Sequence, residues 1–161
     1  MSNTDFLDKN LVQYHLATES DHYEIKHFLK KNKQSSVSRD DRVYILRQQK
    51  QLIGIARLIP AHDSNIERYW LRGLFIDELW RNKGLASQLL NTIDQDLTSI
   101  GALVEIIAFP YQHLDSFYQF NGYHHIEPSL LREPLKTSYF NAKQQQKNWL
   151  CMGKLIKGRS D

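Results

Sequence analysis

The stretch that constrains this chain most is a strand-like run that breaks into a glycine turn and then into a helix-like run. Tyr69-Trp70-Leu71-Arg72-Gly73-Leu74-Phe75-Ile76 is rich in aromatic and branched residues, as a pleated strand favours. Residues 77–80 follow, then Arg81-Asn82-Lys83-Gly84-Leu85-Ala86, and residues 87–100 continue as a helix. Leu85, Leu89, Leu90, Ile93, Leu97 and Ile100 recur on one helical face, and Gly101 stands where a helix C-terminal glycine belongs. A turn opening directly into a helix leaves the first backbone N–H groups without intrahelical acceptors. Together with the helix dipole, these groups form a seat for phosphate. The structural alternative is a plain β–α turn with Gly84 as a joint. The coincidence of strand, turn and helix favours the phosphate seat.

Bulk properties set the frame. A chain of 161 residues suits one domain, 1–161, with a sizeable core. No apolar run is long enough to span a bilayer, and residues 1–10, with Asp5, Asp8 and Lys9, lack the apolar centre of a secretory signal. Cys151 is the single cysteine, so no internal disulfide forms and a reducing, cytoplasmic setting is expected. Six Lys/Arg side chains from Lys136 to Arg159 face one acid, Asp161. Such a basic end could touch nucleic acid or an anionic cofactor, but a solvated terminus is the weightier reading, and nucleic acid is not an expected partner.

Residues 11–17 read as a first strand. Thr18 with Asp21 resembles a capping box before a helix that buries Ile25, Phe28 and Leu29. Residues 42–47 and 52–59 read as two paired strands joined at 48–51, and 69–76 as the fourth, with a bulge or close approach at Gly73. The nearly continuous apolar run 102–109 reads as a buried fifth strand. Leu114, Phe117 and Tyr118 share one face of a short helix closed by Asn121-Gly122. Residues 123–126 and 149–156 read as the last two strands, and the polar segment 136–148 as a loop. The order predicts a central sheet covered by helices, class α/β or mixed α+β.

With these elements in place, the chain resembles a GCN5-related N-acetyltransferase. Leu74-Phe75-Ile76 leading through Trp80 to Arg81-Asn82-Lys83-Gly84-Leu85-Ala86 is similar to that family's Arg/Gln-x-x-Gly-x-Gly/Ala turn. Phe117-Tyr118-Gln119-Phe120-Asn121-Gly122-Tyr123 resembles its downstream aromatic segment. The element order fits over residues 11–156. The departures are Asn82 where the family often has glycine, Glu78 where it often has proline, and Tyr111 near a frequent asparagine. The resemblance implies a largely antiparallel mixed sheet of about seven strands flanked by helices, with the fourth and fifth strands splayed apart.

The resemblance also implies acetyl-CoA as cosubstrate. Backbone amides of Arg81, Asn82, Lys83, Gly84, Leu85, Ala86 and Ser87 would then cradle its pyrophosphate. Leu74, Phe75 and Ile76 would offer strand-edge groups to the pantetheine arm, and one N–H could stabilise the thioester oxyanion. Arg81 and Lys83 stand between adding charge there and pointing to water, and Trp80 reads as packing. Tyr118 is the candidate general acid for the departing thiolate, against a core role on its helix. Glu67, Glu105, His124 and His125 are candidate bases, none preferred, and water could serve instead. Loops 32–41 and 134–148 would wall the acceptor, with Tyr139 and Phe140 as lining and Asp40 and Asp41 attracting a cationic amine.

No His/Cys/Asp spacing suggests a metal. Cys151 in an apolar run reads as core. The expected activity is acetyl transfer to a primary amine, on a small molecule or peptide, by direct attack in a ternary complex. The alternatives are a non-catalytic acyl-CoA-binding domain and a toxin-type acetyltransferase of aminoacyl-tRNA. The family also allows a homodimer.

Overall fold

The computed structural model describes residues 12–63 and 65–158. The readings of residues 1–10, Leu11, Arg159 and Asp161 lie outside these. Among the described residues there are seven strands: β1 Val12–Leu16, β2 Arg42–Gln48, β3 Gln51–Pro60, β4 Glu67–Ile76, β5 Leu103–Ala108, β6 His124–His125 and β7 Met152–Lys157. Four α-helices accompany them: α1 His22–Lys31, α2 Leu85–Thr98, α3 Asp115–Phe120 and α4 Leu135–Gln144. The strands form one sheet in the order β1-β2-β3-β4-β5-β7-β6. β4 and β5 run parallel, while β1–β2, β5–β7 and β6–β7 are antiparallel. This is the helix-covered central sheet that the element order predicts, and the mixed, largely antiparallel seven-stranded form that the resemblance implies. Among the described residues no helix is long and apolar enough to cross a membrane.

The chain divides into two compact units, and β3 and β4 run through both. The first holds the described residues up to Arg57 together with Gly73–Ile93. Its core joins Ile25, Phe28 and Leu29 of α1 to Val43, Ile45, Leu52 and Ile55 of β2 and β3. The helical spacing of the first three residues puts them on one face, and that face is the one buried. The Thr18 N–H donates to the Asp21 carboxylate at 2.9 Å, as the capping reading anticipates. The Arg47 guanidinium then binds both Asp21 (2.9 Å) and Glu24 (2.6 Å), fixing the helix start against β2. The backbone bond from Thr18, followed by the Arg47 side chain, holds the Asp21 carboxyl below the ordinary carboxylate range.

The second unit holds Leu58–Arg72 and the described residues from Asp94 onward. Val104, Ile106, Ile107 and Ala108 of β5 are all buried, matching the continuous apolar run, while Leu103 at its start is half exposed. The segment 136–148 corrects the loop reading: most of it is helix α4. Leu135, Tyr139 and Ala142 are buried at i, i+4 and i+7, and the positions between them are polar except for the exposed Phe140. Three buried positions in a largely polar decapeptide, with Phe140 off their face, give too faint a period to stand out, yet they suffice against a ready-made apolar wall. That wall includes Ile107, Phe109, Leu131 and Cys151.

Smaller corrections fall at element ends. α2 stops at Thr98, so Ile100 lies beyond it and is exposed. β6 is only two residues long. Trp149 lies outside β7 and bridges Tyr111 instead.

Candidate functional site

The turn before α2 is in the first unit. Asn82 has φ +63° and Gly84 φ +77°, both left-handed. Asparagine is the side-chain-bearing residue that tolerates this region best, so Asn82 does the backbone work that glycine would do there. The Gln88 N–H donates to the Gly84 carbonyl at 3.2 Å, so Gly84 is the residue that opens α2. The N–H groups of Leu85 and Ala86 therefore belong to the helix's first turn, where no intrahelical acceptor exists. A Cβ built on Gly84 would meet no atom within 4 Å, so the space before the helix is open. Unfilled space, first-turn donors and a helix dipole are what an anionic group needs.

The two nearby cations are folded onto the protein. Arg81 Nε donates to the Ile76 carbonyl at 2.8 Å, and its guanidinium lies 5.1 Å from the Phe75 ring centroid. Phe75 in turn meets Phe28 of α1 edge-on at 5.9 Å. Lys83 Nζ lies 5.6 Å from the Trp80 ring. Both charges thus stay beside the turn on aromatic supports.

Leu74, Phe75 and Ile76 end β4. The ladder to β5 covers only Glu67 to Leu71, opposite Val104 to Ala108, so all three lie past its end. Gly73 has φ +66°, which fits the bulge reading. Ile76 is buried, and Gly54 of β3 leaves it room: a Cβ on Gly54 would stand 2.7 Å from Ile76 Cδ1. The Asp77 N–H donates to the Ile53 carbonyl at 2.7 Å and closes the strand.

Tyr118 belongs to the second unit and is the buried residue of α3. Its ring meets Phe117 and Tyr123 edge-on at 5.3 and 5.4 Å. Burial pushes its phenol up to about 12, so it keeps its proton at neutral pH. Beyond it, Gly122 turns at φ +90° and the Tyr123 N–H donates to the Tyr118 carbonyl at 3.0 Å.

Lys154 closes this helix end. Its ammonium bonds the Asp94 carboxylate, donates to the Asn121 carbonyl at 2.9 Å, and lies 5.6 Å from the Tyr123 ring. Burial, opposed by Lys154, raises the Asp94 carboxyl, and burial followed by the Asp94 carboxylate holds the Tyr123 phenol well above its usual value. In the sequence Lys154 reads only as one charge of a basic end. Nothing local links it to Asp94, 60 positions away.

The candidate bases separate. Glu105 Oε1 accepts from Arg68 Nε at 2.6 Å, so this oxygen is committed to an ion pair. Glu67 keeps Oε2 buried with no hydrogen-bond partner among the described residues. His125 Nε2 sits 2.9 Å from Asp115 Oδ1, and His124 is exposed.

Of the acceptor walls, loop 32–41 is pinned in the first unit. Buried Arg57 donates to the Ser36 carbonyl at 2.7 Å and pairs with Asp41 at 3.4 Å, and the Asp41 side chain is only 2% exposed. Asp41 is therefore a structural ion-pair partner, while Asp40 is exposed. In the second unit Tyr139 is buried in an aromatic cluster with Phe109 (5.2 Å), and Phe109 stacks on Trp149 (5.7 Å) and tilts against Trp70 (5.4 Å). Phe140 is exposed. These rings come from β4 and three later segments, so no spacing in the sequence groups them.

Several cations of the basic end are individually supported. Lys143 lies over Tyr139, Lys147 over Trp149, and Lys136 donates to the Ser129 carbonyl. Among the described residues no group of three His, Cys, Asp or Glu side chains is placed to hold a metal ion.

The model of a family described as acetyltransferase (GNAT) domain matches residues 39–125, over half of the chain. No curated protein matches the sequence. Among solved structures, N-acetylglutamate synthase from Neisseria gonorrhoeae, complexed with coenzyme A and N-acetyl-glutamate, is 17% identical at TM-score 0.67. The match covers 90% of this chain but 35% of that one, so the chain spans about a third of that protein's length. A GNAT-family acetyltransferase from Staphylococcus aureus Mu50 is 16% identical at TM-score 0.62, covering 91% of this chain and 99% of that one. Arabidopsis thaliana Naa50, in complex with the bisubstrate analogue CoA-Ac-MVNAL, is 14% identical at TM-score 0.63, covering 89% and 98%. At such identities the likeness is one of fold.

Proposed function

The chain belongs to the acetyltransferase (GNAT) domain family, and from that premise we propose that it transfers an acetyl group from acetyl-CoA to a primary amine on a small molecule or peptide. The observation that carries the reading is the open space before α2: Gly84 at φ +77° with no atom within 4 Å of its Cβ position, under first-turn N–H groups. These donors fit a pyrophosphate. Leu74 to Ile76 fit the pantetheine arm, as backbone past the end of a ladder pairs with an extended amide ligand. Solved relatives of the same fold are complexed with coenzyme A or a CoA bisubstrate analogue, which supports the same cosubstrate here.

The reaction is direct attack. The neutral amine adds to the thioester carbonyl, and backbone N–H groups stabilise the oxyanion. The C–S bond then breaks as the amide forms, and the amine's surplus proton passes to solvent. Tyr118, kept protonated by burial, donates its O–H proton to the departing sulfur and takes back from solvent the proton that the amine released.

The test is acetylation of an amine library by the purified chain with acetyl-CoA, read by mass spectrometry. On any amine it uses, Tyr118→Phe is expected to lower kcat by about 10²- to 10⁴-fold, the usual worth of a positioned acid, while CoA affinity stays put. Unchanged turnover in Tyr118→Phe removes that residue's role. Absence of CoA binding removes the whole reading.

A further inference from the structure

Arg68 of β4 is a buried charge that acetyl transfer does not use. Its side chain is 8% exposed. Nε donates to Glu105 at 2.6 Å, and Nη1 donates to Asp63 at 2.9 Å and points at the Ala61 carbonyl at 3.5 Å. A guanidinium carries five N–H donors. Among the described residues no acceptor meets Nη2, and Nη2 is not among the polar atoms sealed from solvent without a partner. It therefore reaches open space.

Arg68 also lines a cavity of about 200 Å³, whose lining residues all belong to the second unit. Arg68, Glu105 and Ile107 line one side of it. Glu105 and Ile107 share a face of β5 by strand alternation. Ile126, Leu130, Leu131 and Leu135 add apolar walls, and Arg132 adds a second guanidinium. Arg132 is exposed and, among the described residues, its side chain has no hydrogen bond or ion pair.

We propose that this cavity binds a free α-amino acid with a branched aliphatic side chain. Its carboxylate meets Arg132 and Nη2 of Arg68, its ammonium meets Glu105, and its side chain lies against the leucine and isoleucine walls. Charge balance selects a zwitterion. Asp63 pairs with Arg68 from outside the lining; with it counted, the two guanidiniums of Arg68 and Arg132 are offset by the carboxylates of Glu105 and Asp63, so a zwitterion keeps this group of charges neutral where a lone carboxylate or a lone ammonium would not. The apolar walls select the aliphatic body, and the volume suits on the order of ten heavy atoms, taking a water as about 30 Å³. An ion pair facing an apolar cavity is also a weak way to hold two strands together, because both charges lose water. A ligand that uses the spare donors gives the pair a purpose. None of this rests on the acetyl-transfer reading.

The experiment is isothermal titration of the full chain, without acetyl-CoA, with L-leucine, 4-methylpentanoate and 3-methylbutylamine. Leucine is expected to bind saturably and at least about tenfold tighter than either single-charge analogue, since each analogue loses a charge-assisted bond. Arg132→Gln is expected to weaken leucine about tenfold or more with an unchanged melting temperature, and Arg132→Lys to restore part of the loss. The proposal is overturned if leucine gives no saturable binding, if it binds no tighter than the analogues, or if Arg132→Gln binds it like the parent chain.

Discussion

Replacing Gly84 by asparagine and by aspartate separates a phosphate seat from a plain turn. The position sits at φ +77° and opens α2, and a Cβ there touches nothing. Steric clash is therefore absent, and the cost to the fold is conformational alone. For alanine, left-handed backbone costs about 1–2 kcal/mol. Asparagine and aspartate tolerate the region better, and aspartate gains about 0.3–1 kcal/mol from the helix dipole. Both variants should melt within about 4 °C of the parent chain, the shift that about 1 kcal/mol produces at this size. Ligand affinity should behave otherwise. Either side chain enters the open space, and displacing one charge-assisted hydrogen bond costs about 1.5–3 kcal/mol, so asparagine should weaken CoA roughly 10- to 100-fold. Aspartate is isosteric but brings a negative charge toward the pyrophosphate. At about 4 Å and an effective dielectric near 20 that adds about 4 kcal/mol of repulsion, so binding should fall below detection. Calorimetry with CoA measures the affinities and circular dichroism the melting points. If Gly84→Asp folds and binds CoA like the parent chain, the turn is only a joint and the phosphate assignment is wrong.

Other outcomes follow from the ion pairs and from α4. Arg57→Met leaves the 2%-exposed Asp41 carboxylate without its cation and should cost about 3–5 kcal/mol in urea unfolding, while the double variant Arg57→Met/Asp41→Leu should recover most of it. Asp21 and Asp94 should give opposite pH slopes. The folded Asp21 pKa lies below the ordinary 3.8, so its stabilisation is present above that value and is lost as pH falls through the folded value. The folded Asp94 pKa lies above 3.8, so its contribution is present at lower pH and is lost as pH rises through the folded value. Stability–pH curves of Asp21→Asn and Asp94→Asn should each lack one of these slopes. Leu135→Ala should destabilise by about 2–5 kcal/mol, as a 2%-exposed core leucine does, whereas a loop residue would be nearly silent.

Where the chain's own periodicity is strong, the sequence carries the fold. The faces of α1 and α2, the buried run of β5 and the pairing of β2 with β3 are all legible, because short-range residue patterns fix which side of an element is apolar. The turn is legible too, and Asn82 shows why a departure from glycine need not change it: φ +63° is within asparagine's reach. Helix α4 is not legible, because its three buried residues matter only against a wall built from Ile107, Phe109 and Cys151.

Candidate roles divide in the same way. Residues 74–76 and 81–87 are adjacent in the chain, so their strand, turn and first-turn donors can be placed from local order. Which charges are committed is a different matter. Asp41 reads as a free acid until Arg57 is seen beside it, Lys154 as a solvated base until Asp94 is, and Glu105 as a candidate base until Arg68 is. Backbone conformation and face are set by neighbours a few residues away. The partner and solvent exposure of a charge are set by segments that meet only after the chain has folded, and those decide whether a carboxylate is an ion-pair partner, a base or part of a ligand cavity.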